Sequence, residues 1–201
     1  MKETLDSRLN DAAGDIERQM TVLRDVHHAT VFQLLVRDLE DLLELEILSD
    51  HLTQLADLIL DRVLELCWNG MKGRHRESHE FAIIGYGKLG GKELGYASDL
   101  DIVFLFDDDH PNAQETYARL AQRINTWLTS STSSGVLYET DLRLRPNGAS
   151  GLLVSSVDAF ESYQMHDAWV WEHQALTRGR FAAGSVRVGA AFEEIRKNVL
   201  R

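Results

Sequence analysis

Cysteine, proline and positive charge are all scarce in this sequence. Its single cysteine, Cys67, has no partner for an internal disulfide. With no secretory leader in view, that usage points to a reducing, cytoplasmic setting. No apolar run approaches the roughly 20 residues of a membrane span, so no membrane partner is expected. Two prolines in 201 residues leave helices largely uninterrupted. Lys plus Arg total 21 against 32 for Asp plus Glu, a formal net charge of -11. Non-specific nucleic-acid binding depends on neutralising phosphates, so nucleic acid is not an expected partner. A local basic site remains open. There are no internal repeats, and the only low-complexity tract is the serine cluster at 130–135.

Hydrophobic residues make up 44% of the chain, enough for a core in one or two domains. Residues 1–70 read as a helical segment packing on the domain that follows. Val31, Leu34, Leu35, Leu39, Leu42, Leu43 and Ile47 form a stripe at helical spacing. Ser49 and Asp50 break it, and Leu52, Leu55, Ile59, Val63 and Leu66 begin a second helix. The pair predicts a helical hairpin. Residues 71–155 read as the mixed sheet-and-helix core. GMKGRHRESH, at 70–79, is a loop; Phe81 to Ile84 and Leu100 to Phe106 are strands. Ala113 to Leu128 is a helix, Val136 to Leu144 a third strand, and Leu152 to Val154 a short fourth. Residues 156–201 form a helical C-terminal part, capped by Ser155 or Ser156. The fold class is α+β: a small mixed sheet flanked by helices, with an N-terminal helical hairpin and a helical tail.

The stretch GYGKLG fits the dinucleotide pattern G-x-G-x-x-G at Gly85, Gly87 and Gly90, with Asp107 about twenty residues on. The required context is absent. A parallel crossover needs a dozen residues or more, and only Gly91 to Asp99 separate the turn from the next strand. A short helical turn fits there; a packing helix does not. A Walker-type loop fails as well, because Gly91 stands where its lysine belongs.

Asp99-Leu100-Asp101 carries more information. Residues i and i+2 of a strand share a face, so two carboxylates lie side by side at the start of an apolar strand. A pair of turn aspartates capping a strand is the simpler explanation. The flanking residues favour a metal. Like charges this close repel, and a hard divalent cation such as Mg²⁺ relieves the conflict. Upstream, glycines let backbone N–H groups approach phosphate, with Lys88 and Lys92 beside them. Downstream, LYETDLRLRP places Asp141 on an alternating stretch, with Arg143 and Arg145 on its face at i+2 and i+4. Three carboxylates beside phosphate-binding groups fit a two-metal site for in-line displacement.

Around these residues the sequence resembles the nucleotidyltransferase fold of the DNA polymerase β type. It is more closely similar to the glutamine synthetase adenylyltransferase family. GYGKLGGKELGYASDLDIVFL, LYETDLRLRPNGASGLLVSS and WVWEHQALTRGR look like three of that family's motif blocks, in order, over roughly residues 81–181. The family has two related transferase domains in a much longer chain, and the motifs here look more like the C-terminal, adenylylating half. The resemblance implies transfer of AMP from ATP to a tyrosine hydroxyl of glutamine synthetase, releasing pyrophosphate. It also implies two Mg²⁺ ions and a PII signalling protein as regulatory partner. Asp99 and Asp101 would hold both metals and Asp141 one. Gly87, Gly90 and Gly91 would admit the triphosphate, with Lys88, Lys92, Ser98, Arg143 and Arg145 as phosphate contacts. Two alternatives stay open: the deadenylylating half, which releases ADP by phosphorolysis, and an inactive nucleotide-binding scaffold.

Other residues weigh less. Asp107, Asp108 and Asp109 read as a solvated turn, and His27 and His28 as surface residues far from any motif. Trp169, Trp171 and His173 read as helix packing residues. Glu172 and Arg178 are candidates for supporting the site or the adenine, and Cys67 for the core.

Overall fold

A computed structural model describes residues 1–201. Three helices come first: α1 (Lys2–Asp11), α2 (Ile16–Leu39) and α3 (Leu45–Asn69). Asp15 caps α2, its carboxylate accepting from the Arg18 N–H at 3.0 Å. The α2–α3 hairpin forms, but its break lies at residues 40–44 rather than at Ser49 and Asp50, which are helical. Asp41 takes the left-handed conformation with φ 54°. The Leu42 N–H then donates to the Arg37 carbonyl and the Asp41 N–H to the Asp38 carbonyl. This is a Schellman stop with aspartate where glycine is usual, so the sequence carried no glycine signal. Leu42 and Ile47 continue the apolar stripe on paper yet are exposed in space. No helix is long and apolar enough to cross a membrane.

The sheet is small and mixed. Strands β1 (Phe81–Gly85) and β2 (Leu100–Phe106) are antiparallel, from Phe81 opposite Phe106 to Gly85 opposite Ile102. That pairing excludes the parallel crossover of a dinucleotide fold. The far edge of β2 is shared by two short parallel strands. Strand β3 (Thr140–Asp141) pairs with its start and β4 (Val154–Ser156) with its end. On the other side, β1 pairs with β5 (Arg180–Gly184), again antiparallel.

Alternation along the two central strands sorts side chains into two cores. Phe81, Ile83, Leu100, Ile102, Phe104 and Phe106 join a cluster of 35 buried residues with α3 and with α5 (Ala113–Thr129). Ala82, Ile84, Val103 and Leu105 face a smaller cluster of 11. Its other members come mainly from α6 (Val157–His166), α7 (Val170–Leu176) and α8 (Val186–Val199). Both faces of the central strands are covered, which is why they read as continuous apolar runs. Ser156 caps α6, its hydroxyl accepting from the Ala159 N–H at 3.2 Å.

Three expectations need correction. The third strand is two residues long, not nine, because residues 142–151 turn back on themselves through Asn147 and Gly148 at positive φ. Residues 91–99 form turns without a helix; the helical turn is α4 (Gly87–Gly90) instead. The C-terminal part is not wholly helical, since it contains β5, bracketed by Gly179 and Gly184.

Candidate active site

Strand β1 ends in α4, a single helical turn. The Tyr86 N–H donates to the Asp101 carbonyl at 2.8 Å, so the turn is fastened to the start of β2. Gly87 has φ 51°, and a Cβ there would lie 2.2 Å from Asp101 Oδ2. The Asp101 carboxylate therefore rests directly on Gly87, at a distance that no side chain allows. Gly90 is fixed from behind: a Cβ would lie 1.9 Å from the Arg178 carbonyl oxygen. Arg180 Nε donates to the Leu89 carbonyl at 3.1 Å, while its Nη2 reaches Asp57 of α3 at 2.8 Å. Arg178 pairs with Glu93 at 3.1 Å. The TRGR segment is thus the back wall of the glycine turn, a role no local pattern in it announces.

Asp101 and Asp141 are register partners across the parallel β2–β3 pair, so their side chains share a face. Asp99 precedes Asp101 by two residues and is exposed. Burial pushes the Asp101 carboxyl above its ordinary range, and the charges of Asp99 and Asp141 add to this; Arg143 and Lys88 oppose it. The three acids are thus within electrostatic reach of one another. They do not close into a three-ligand metal cluster in this arrangement. Asp141 is turned instead to Arg143, whose Nε contacts both of its oxygens at 3.0 and 2.9 Å and whose backbone N–H donates at 2.8 Å. Those hydrogen bonds hold the Asp141 carboxyl below its usual value.

The phosphate candidates separate. Lys88 is exposed, and its charge is felt at Asp101. Lys92, at φ 57°, acts on Asp57 and lines a different cavity between the α2–α3 hairpin and residues 91–96. The Ser98 hydroxyl accepts from the Gly95 N–H at 3.0 Å. Arg143 and Arg145 lie in the turn after β3, so the alternation that put them on the Asp141 face does not hold. Arg143 is 78% exposed. Arg145 folds onto its own loop, donating to the carbonyls of Leu142, Ala149 and Gly151 at 2.7, 3.0 and 3.3 Å.

Several minor readings change. His27 is buried, and with His28 it borders a cavity of about 600 Å³ that has Ser98 and Asp99 in its wall. Burial and the charge of His28 push His27 down to about 4. Asp108 is buried rather than solvated: it accepts from His75, Arg76 and Tyr117 at 2.8, 3.0 and 2.9 Å. Trp169 and Trp171 are exposed, at 70% and 53%. Glu172 is buried and accepts from the Tyr163 hydroxyl and the Trp169 N–H. Cys67 is a buried core residue, as expected. Only long-range packing brings His27, Asp57 and Arg180 to the site.

A glycine turn, a D-x-D strand and an acid on a neighbouring parallel strand, on a small mixed sheet, make up the nucleotidyltransferase-type arrangement. Residues 1–195 match the family model of glutamate-ammonia ligase adenylyltransferase, and the chain belongs to that family. It is 69% identical over 185 residues to the bifunctional glutamine synthetase adenylyltransferase/adenylyl-removing enzyme of Nitrosomonas europaea, covering 92% of this chain and 20% of that protein. The protein of the same name from Aromatoleum aromaticum is 63% identical over 201 residues, 100% of this chain and 21% of its own length. That of Chromobacterium violaceum is 57% identical over 196 residues, 98% and 22% respectively. The chain therefore spans about a fifth of the length of these relatives.

Proposed function

We propose that this chain is an adenylyl-transfer module that moves AMP from ATP to a tyrosine hydroxyl of glutamine synthetase. The observation that carries the proposal is the seating of Asp101 on Gly87 beside its register partner Asp141. The names of the relatives support adenylyl transfer with glutamine synthetase as the target, and the family resemblance supplies ATP and the tyrosine. The acid-rich face suits a divalent cation: its ligands are hard oxygens, and burial with the charges of Asp99 and Asp141 raises its central carboxyl despite Arg143 and Lys88. Asp99 and Asp101 would hold two Mg²⁺ ions and Asp141 one of them. Bound there, Mg²⁺ would supply charge neutralisation at the attacking and leaving oxygens.

The chain's own groups do the remaining work. The first turn of α4 receives the triphosphate, with Lys88 facing its charge; Gly90 and Gly91 shape that turn, since their N–H groups already bond the Tyr86 and Gly87 carbonyls. Arg143 releases Asp141 and turns to phosphate, since its side chain is free to move in solvent. The phenolic oxygen bonds to the α-phosphorus, and the bond from that phosphorus to the bridging oxygen breaks, releasing pyrophosphate. A carboxylate oxygen of Asp141 takes the phenolic proton, because an unperturbed tyrosine near pKa 10 is a weak nucleophile. Arg145 holds the loop rather than the substrate. The PII signalling protein enters as the regulator that the family resemblance implies.

The test is transfer of labelled AMP from ATP to purified glutamine synthetase with Mg²⁺. Asp101→Asn is expected to lower the rate by at least about a hundredfold. An intact rate would remove the metal assignment. ADP formed from adenylylated target and phosphate, with no forward transfer, would assign the module to the removing reaction instead.

A further inference from the structure

The cavity beside Asp99 has a composition unlike a phosphate site. His27, Val31, Leu137 and Tyr138 are among its walls, and no lysine or arginine is. Its charged members are Asp99 and Glu139, so an anionic ligand is disfavoured. The His27 and Tyr138 rings meet edge to face with centroids 4.7 Å apart. A third ring can extend such a stack. His27 Nδ1 is buried with no hydrogen-bond partner, although buried polar atoms usually have one. A hollow lined by aromatic and apolar side chains beside a few polar groups has the make-up of a ligand subsite.

Its position selects the ligand. In an in-line displacement, the attacking oxygen enters opposite the leaving group. Under the proposed reaction the pyrophosphate leaves along the glycine turn. No residue of that turn, from Gly85 to Gly91, lines this cavity. It meets the carboxylates through Asp99 and through residues 136–139, which run directly into Thr140 and Asp141.

We infer that this cavity, between α2 and the 96–99 and 136–139 segments, is the acceptor subsite that receives the phenol ring of the target tyrosine. This rests on the adenylyl-transfer reading. The phenol ring packs against His27, Tyr138 and Val31 with its hydroxyl toward Asp99.

N-acetyltyrosinamide and ATP with Mg²⁺ test it separately by calorimetric titration. Ala97 is an exposed loop residue in the cavity wall, so Ala97→Trp fills the space without disturbing the core. The variant is expected to bind N-acetyltyrosinamide at least about tenfold more weakly than the unaltered chain, with ATP affinity within about twofold. His27→Leu, which removes the ring from the cavity wall, should also weaken the amide and spare ATP. Equal amide binding in all three proteins, or none in the unaltered chain, overturns the inference. Loss of ATP affinity in Ala97→Trp does so too, by giving the cavity to the base. Failure of the unaltered chain to bind ATP defeats the transferase reading instead, whatever the amide does.

Discussion

Strand β2 carries aspartates at both ends, and the two ends have opposite characters. At its start, Asp99 and Asp101 lie near Asp141, and burial with those two charges pushes Asp101 upward, only partly offset by the exposed Arg143 and Lys88. Beyond its end, Asp107 pairs with Arg187, and Asp108 is enclosed by His75, Arg76 and Tyr117. Burial alone would raise Asp108. Hydrogen bonds from His75, the His110 N–H and Tyr117, with the charge of Arg76, outweigh it and bring the carboxyl to about 2. One end is compensated internally; the other leaves its charge for something that arrives later. Acid count does not separate the two. Compensation does.

The largest effect expected from breaking this contrast is catalytic. Asp101→Asn should lose transfer activity while its melting temperature stays level or rises, because a repelled carboxylate is removed. Asp108→Asn should do the reverse, losing about 1–3 kcal/mol of stability as charge-assisted hydrogen bonds disappear, with ATP binding intact. Denaturant unfolding alongside AMP transfer reads both; a destabilised Asp101→Asn would erase the distinction.

Gly87→Ala probes the open end without touching a charge. Its Cβ would displace the Asp101 carboxylate, and a left-handed φ costs a non-glycine residue roughly 1–2 kcal/mol. Calorimetry should show metal-dependent ATP binding lost before the fold is.

Acid should dismantle the ends in sequence. Folding holds His27 near 4 against an ordinary value of 6.5, so the unfolded chain binds the extra proton between those values. Stability then falls as pH drops from 6.5 to 4, by on the order of 3 kcal/mol. Asp108 is depressed, so its contribution is present above pH 4 and fades as pH falls toward 2. Unfolding free energy measured against pH should show two steps, the first absent in His27→Gln and the second in Asp108→Asn.

The smallest effect belongs to Arg143→Ala. The pair is exposed and screened by solvent, so stability should barely change. The Asp141 carboxyl should move back up in an NMR titration; no movement would mean that Arg143 does not hold it.

The candidate site was most legible where its residues are local in the chain. Asp99, Asp101 and the glycines lie within fifteen residues, whereas the seating of Asp101 on Gly87 comes from the antiparallel β1–β2 pairing. Strands β1 and β2 and helix α5 were readable because burial on two faces, or one stripe, leaves a plain apolar signature. Strand β5 was hidden: RFAAG is short and alanine-rich, and only its pairing with β1 makes it a strand. Arg143 and Arg145 misled because LRLR alternates on paper while the chain is already turning. His27 and Tyr138 could not be joined to Asp99 from sequence, since more than a hundred residues separate the two rings.

The back wall of the glycine turn has a consequence for the order in which the protein is made. Gly90 lies on the Arg178 carbonyl, and Arg180 ties Leu89 to Asp57. During synthesis, all three carboxylates leave the ribosome well before those arginines do. A nascent chain halted at Thr177 would carry the complete acidic face and lack the support that shapes the glycine turn. Under the proposed function, ATP binding would arrive late, with the emergence of the TRGR segment.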